Sequence, residues 1–185
     1  MNREAVDAMR CFLSNLGIDE VAYGMEKTPE RVAEMYAELF SGIEKDCDSV
    51  WGDLLPSGTK GMVAVRSIPF YSMCEHHLLP FFGTVDIVYL PRDGMVAGFG
   101  KFAEVVDIIS HRPQLQERMT EAIAEAVFKG LNARGALVRV EAVQLCMVMR
   151  GRRSNGSKTV TMSGLGELQE GETAAIQALQ LIGNN

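Results

Sequence analysis

Histidine is scarce in this chain of 185 residues. There are three, and two of them, His76 and His77, stand side by side. No run of apolar residues approaches the length of a membrane span, which excludes a helical membrane protein. There is also no basic run: 18 Lys and Arg are scattered among 24 Asp and Glu, for a net charge of −6. Neither nucleic acid nor an anionic membrane is expected as a partner, and a small anionic substrate needs a local basic pocket against that background. The four cysteines, Cys11, Cys47, Cys74 and Cys146, are too widely spaced for a disulfide framework and read as free thiols or metal ligands. The opening stretch "MNREAVDAMRCFLSNLG" lacks a small-residue cleavage site and carries early acids, so it reads as an amphipathic helix. A cytoplasmic location is expected. Internal repeats, low-complexity tracts and linkers are absent too.

What is present is a length and an apolar content, 47%, sufficient for one domain with a sizeable core. Val6, Met9, Leu13 and Leu16 fall on one helical face, and Gly17 is a natural stop. "KTPERVAEMYAELFSG" predicts a second helix with Thr28 as N-cap, Pro29 at the first helical position and an apolar stripe of Val32, Met35, Tyr36, Leu39 and Phe40. Arg31 in its first turn is poorly placed for the helix dipole. It is either a solvated side chain or part of an anion site. Strands are predicted over 61–71 and 83–91, and a helix from near Lys101. After Pro113, Leu115, Met119, Ile123, Val127 and Leu131 recur every fourth residue and predict a long helix with one buried stripe. "GALVRVEAVQLCMVMRG" and "SKTVTMSG" predict two further strands, and "ETAAIQALQLIGNN" a short terminal helix. The order of elements predicts an α+β fold, an antiparallel sheet with helices on one face. We expect an N-terminal helical region over 1–50 and a catalytic unit over 51–185. Sheet edges and apolar surface point to oligomerisation.

The stretch "SMCEHHLLPF" (72–81) holds the densest chemistry. Cys74 and His77 have C-x-x-H spacing, which lets one zinc ion take a thiolate and an imidazole. Cys146, read as the middle of a strand, is the natural third ligand. A Cys2His set leaves one position open, the pattern of a catalytic site. On spacing alone, Cys146 reads equally as a buried thiol. His76 handles protons if the backbone turns so that both rings face one site, and is otherwise a surface histidine.

Four stretches in order, "TPERVAEMY", "CEHHLLPFFG", "HRPQLQER" and "LCMVMRG", carry a resemblance to the GTP cyclohydrolase I family from residue 4 to about residue 166. The resemblance implies the tunnelling fold, in which sheets and helices of several subunits build a barrel, and a homodecamer of two pentameric rings with sites at subunit interfaces. It implies hydrolytic opening of the imidazole ring of GTP at C8, release of formate and formation of dihydroneopterin triphosphate. The implied zinc (Zn2+) ligands are Cys74, His77 and Cys146. His76 takes the position of the proton-handling histidine. Gln116 and Glu117 take those of the guanine-anchoring pair, and Arg31, Lys101 and Arg150 those of the phosphate-binding cations.

Three departures from the family pattern fall on functional positions. Gln144 stands where the family has a second catalytic histidine, and glutamine cannot shuttle protons. In a strand, residues 144 and 146 share a face, so Gln144 is expected to point at the metal site. In "GFGKFAEVV", Gly100 replaces a serine and Glu104 an arginine, so a hydroxyl is lost and a cation becomes an anion. Arg152 and Arg153 thicken the positive charge after Arg150. The expectation is a zinc-dependent cyclohydrolase with an altered purine or pteridine substrate or a shortened reaction. The alternative is a non-catalytic or regulatory paralogue that binds such a ligand.

Overall fold

The computed structural model describes residues 2–150 and 156–183, and the chain divides into two compact units, 1–41 and 42–185. In the first, helix α1 (Arg3–Asn15) starts on the Asn2 side chain, whose Oδ1 accepts from the Glu4 and Ala5 amides at 2.9 and 3.3 Å. It ends in a Schellman motif at Gly17, whose φ is 75°. There the Ile18 amide donates to Leu13 O at 3.1 Å and the Gly17 amide to Ser14 O at 3.0 Å. Val6 and Leu13 of the predicted stripe are buried, whereas Leu16, at the cap, is exposed. Helix α2 (Thr28–Leu39) begins one residue earlier than expected: Lys27 occupies the N-cap without a side-chain cap, and Thr28 is already helical. Arg10 of α1 pairs with Glu30 of α2 at 2.8 Å.

In the second unit a short hairpin pairs β1 (Leu55–Pro56) with β4 (Met95–Val96). The main sheet holds β2 (Val63–Cys74), β3 (Pro80–Leu90), β5 (Pro113–Gln114), β6 (Gly135–Gln144) and β7 (Thr159–Gly166), in the order β5-β2-β3-β6-β7. All pairings are antiparallel except the two-residue β5, which runs parallel to β2. Two residues of β2, Arg66 and Ser67, oppose the single Asp86 of β3 in a β-bulge. Ser67 adopts φ 57° there, and its amide donates to Asp86 Oδ1 at 2.9 Å. Gly83 lets β3 and β6 approach: a Cβ at this position falls on the Glu141 carbonyl.

Helices α3 (Gly100–Ser110) and α4 (Gln116–Gly130) cover one face. Met119, Ile123, Val127 and Leu131 are buried as their period predicts, against Phe81, Val85, Ile87 and Tyr89 of β3 and Ala136, Val138 and Val140 of β6. Trp51 meets Phe102 edge-on at 5.2 Å, so residues just after position 42 pack with this unit. The C-terminal helix α6 (Thr173–Ile182) adds a feature the expected one-sided arrangement lacked. It packs through Ala175, Ala178 and Ile182 on Val88, Leu90 and Leu137, which point to the opposite face. Among the described residues, no helix covers the rest of that face. There Arg139 pairs with Asp86 at 3.3 Å and with Glu141 at 2.6 Å, and Lys158 with Glu141 at 2.7 Å.

Candidate metal centre and pocket

The polypeptide reverses direction at the end of β2, and the reversal places the first two candidate ligands. The Cys74 carbonyl accepts from the His77 and Leu78 amides at 3.3 and 2.8 Å, and the Cys74 amide donates to Leu79 O at 2.9 Å. Leu78 takes a left-handed φ of 50° to close this turn. The turn folds His77 back on Cys74, with Nδ1 3.9 Å from Sγ. It also gives both histidines exposed positions with ring centroids 6.1 Å apart.

The third ligand arrives differently from the expectation. Strand β6 ends at Gln144, and residues Leu145–Val148 form a single helical turn, α5, so Cys146 is not in a strand. The alternation that was to put residues 144 and 146 on one face does not operate. The helical turn instead brings both into the lining of one cavity of ≈ 190 Å³, together with Cys74, His76, Gln116 and Glu117. The candidate ligand atoms of Cys74, His77 and Cys146 all lie within 4.8 Å of one another. Two sulfurs and one nitrogen on a tetrahedral zinc stand about 3.5 to 3.8 Å apart, given bonds of about 2.3 and 2.0 Å. The residues fit the ion in donor chemistry and nearly in spacing. Burial raises the Cys146 thiol above its ordinary pKa, and the neighbouring Cys74 raises it further, while Arg150 acts weakly in the other direction. A cation between the two sulfurs relieves that conflict.

Gln116 is 4% exposed, and its amide is fully engaged within the protein. Its Nε2 lies 3.2 Å from Val140 O, Thr159 O and Thr161 Oγ1. Its Oε1 accepts from Thr159 Oγ1 at 2.5 Å and Gln144 Nε2 at 2.8 Å. Thr120 Oγ1 donates to Gln116 O at 2.7 Å and lies 2.6 Å from Thr161 Oγ1. Glu117, next in the chain, is exposed at the cavity and is the member of the pair whose side chain is available to a ligand. Gln114, a cavity residue that sequence reasoning passed over, donates to Ile109 O at 2.9 Å, and its Oε1 is buried without a partner. Nor did the sequence single out Glu75 and Arg118. The Arg118 guanidinium grips both Glu75 oxygens, at 2.7 and 3.4 Å, and the Glu75 amide donates to Gln114 O at 3.1 Å. The signal for such a pair, opposite charges 43 positions apart, is invisible without the fold.

The expected phosphate cations are divided between the two units. Lys101 lies in the first turn of α3, outside the cavity lining, with its ammonium 3.4 Å from the Glu104 carboxylate. Arg150 is exposed beside the cysteine turn, and Arg31 belongs to the N-terminal unit. Arg152 and Arg153 lie outside the described residues.

A Cys2His set that leaves one position open, with a histidine beside it in a cavity at the end of the sheet, is the pattern of a metal-dependent hydrolase. Residues 5–183 match the GTP cyclohydrolase I family. GTP cyclohydrolase 1 of Geobacillus kaustophilus is 43% identical over 175 residues, covering 95% of this chain and 93% of its relative. That of Carboxydothermus hydrogenoformans is 43% identical over 185 residues, covering 100% and 96%. A solved structure of the archaeosine synthase QueF-Like in its apo form aligns with 58% of the chain and 96% of its own, at 21% identity and a TM-score of 0.47. The chain belongs to the GTP cyclohydrolase I family.

Proposed function

We propose that this protein hydrolytically opens the imidazole ring of GTP, or of a related guanine compound, at C8. The observation that carries the reading is the convergence of Cys74, His77 and Cys146 in a chain that matches the family over nearly its whole length. Zinc held by these three residues supplies Lewis acidity and a nucleophile near neutral pH. The chain's own groups do the rest. Glu117 accepts hydrogen bonds from the N1–H and 2-amino group of guanine and fixes the ring. His76, exposed at the cavity rim, gives and takes protons at the reacting edge. Water oxygen bonds to C8, the C8–N9 bond breaks with a proton delivered to N9, and a formamide remains on N7. A second water releases formate.

Two observations favour a substrate or end point shifted from that of the named relatives. Gln144 gives the cavity an amide in place of a second titrating ring. The Glu104 carboxylate, within ion-pair distance, offsets the charge of Lys101, which weakens any hold on a triphosphate. On this reading nucleosides and lower phosphates compete well with GTP, and the reaction can stop at the formamide. The same two observations motivate the alternative, a paralogue that binds a purine or pterin without turnover. The protein acts in the cytoplasm as a homo-oligomer, on the family pattern a decamer.

The test is a panel of GTP, GDP, GMP and guanosine incubated with zinc-loaded protein and followed by mass spectrometry and formate release. Ring opening of at least one member is expected. Tight binding of a panel member with no turnover of any supports the paralogue instead and overturns the enzymatic reading.

A further inference from the structure

The orientation of two amides in the cavity is dictated by groups that can only accept. Gln116 Nε2 faces the carbonyls of Val140 and Thr159, each 3.2 Å away. A carbonyl has no hydrogen to give, so the NH2 end of Gln116 must point there and its oxygen must point away. The surrounding hydroxyls agree. Thr120 gives its one proton to Gln116 O, so Thr161 donates to Thr120 and accepts from Gln116 Nε2, which closes a ring of donors and acceptors. Gln116 Oε1 therefore requires donors, and it has two: the Thr159 hydroxyl and Gln144 Nε2. With its NH2 turned to Gln116, Gln144 has only one way to present its carbonyl oxygen. No group among the described residues donates to that oxygen, and the residue lines the cavity that Cys74 and Cys146 also line. Gln114 repeats the logic. Its NH2 is held by the Ile109 carbonyl, and its oxygen has no donor among the described residues.

We infer that Gln144 is a specificity-determining residue that presents a fixed hydrogen-bond acceptor to the N7 edge of the ring being opened. The inference rests on the reaction proposed above, because chemistry at C8 requires the N7–C8 edge to lie on the cysteine side of the cavity, where Gln144 stands. An intact guanine ring carries a lone pair on N7, which repels the amide oxygen. Addition of water across the C8–N7 double bond changes this. The water oxygen bonds to C8, the π pair goes to N7 and N7 takes up a proton, becoming a donor aimed at Gln144. The amide thus opposes the unreacted ring and stabilises the hydrated one, which is the direction that speeds a reaction. It does so without titrating.

The probe is 7-deaza-GTP, in which a C–H replaces N7 and its lone pair. Equilibrium binding of GTP and 7-deaza-GTP is measured on the full-length protein stripped of metal, where neither is turned over. The unsubstituted protein is expected to bind 7-deaza-GTP about fivefold more tightly than GTP. Gln144→Leu brings the two affinities together. Gln144→His, whose ring N–H can donate to N7, reverses the order. Thr159→Val, which removes one of the two donors that orient Gln116, narrows the preference while leaving Gln144 in place. A preference for GTP in the unsubstituted protein, or a preference for 7-deaza-GTP that survives in Gln144→Leu, overturns the inference. If zinc-loaded protein releases formate from GTP yet shows no preference between the two nucleotides, the inference alone fails. If it neither binds these nucleotides nor opens any guanine compound, the proposed reaction fails and the inference with it.

Discussion

Gln116 holds the pocket together at the scale of the single residue. Replacing it with Leu removes the donor from two carbonyls and the acceptor from Thr159 and Gln144 within a buried site. We expect Gln116→Leu to lower stability by about 2–4 kcal/mol, read as a fall in the urea midpoint at unchanged slope. Gly83→Ala is expected to be as damaging, because the new methyl falls on the Glu141 backbone in the middle of the sheet. The grouping of Cys74 and His77 was legible in the sequence because C-x-x-H spacing keeps the two close, whereas spacing alone left Cys146 open between a third ligand and a buried thiol, and family likeness chose between them. The engagement of Gln116 was not legible. Its partners Thr159 and Thr161 lie 43 and 45 positions away, and no local pattern marks which threonines of a strand face a helix N-terminus.

At the scale of elements, the C-x-x-H turn and α4 are joined by the two-pronged pair of Arg118 and Glu75. Both residues are partly exposed, so the pair contributes little to global stability. Its effect lies in where it holds the turn. Arg118→Ala is expected to weaken zinc retention about tenfold in competition with a chromogenic chelator, with an unchanged circular dichroism spectrum and partial recovery in Arg118→Lys. On the open face of the sheet, the Lys158 and Arg139 hydrogen bonds hold the Glu141 carboxyl below its ordinary pKa. A depressed folded-state pKa contributes stability that is full above the unfolded value and fades as pH falls through the folded one. Thermal melts from pH 6 down to pH 3 should therefore show a smaller acid-induced loss in Glu141→Gln than in the parent protein. The helices and strands with clean periods were legible, as the buried column Met119, Ile123, Val127 and Leu131 illustrates. The end of β6 was not. "VQLCMVM" is apolar except for Gln144, so neither a period of two nor one of 3.6 stands out, and the turn at 145–148 is seen in the structure, where the Met149 amide donates to Leu145 O at 3.1 Å.

At the scale of the whole molecule, Tyr71, Val160 and Met162 leave apolar surface exposed on the open side of the sheet, and among the described residues β7 is an edge strand with one side unpaired. Light scattering is expected to give a mass several times that of one chain. The double substitution Val160→Lys with Met162→Lys is expected to shift it toward smaller species. The α+β class followed from the order of elements. A barrel built by several copies enters through family likeness, since one chain carries no pattern that counts its neighbours. The edge position of β7 has a consequence in time. Thr159 and Thr161, which orient Gln116 and through it Gln144, belong to one of the two strands of the main sheet that, within a single chain and among the described residues, have only one neighbour. Edge strands open more readily than central ones. Each opening of β7 releases Gln116 from its threonines and lets the Gln144 amide turn over. The polarity of the cavity therefore has a lifetime, set by how long the outermost strand stays closed, and hydrogen exchange at the Thr161 amide, which faces Val140 across the β6–β7 gap, is the clock that reads it.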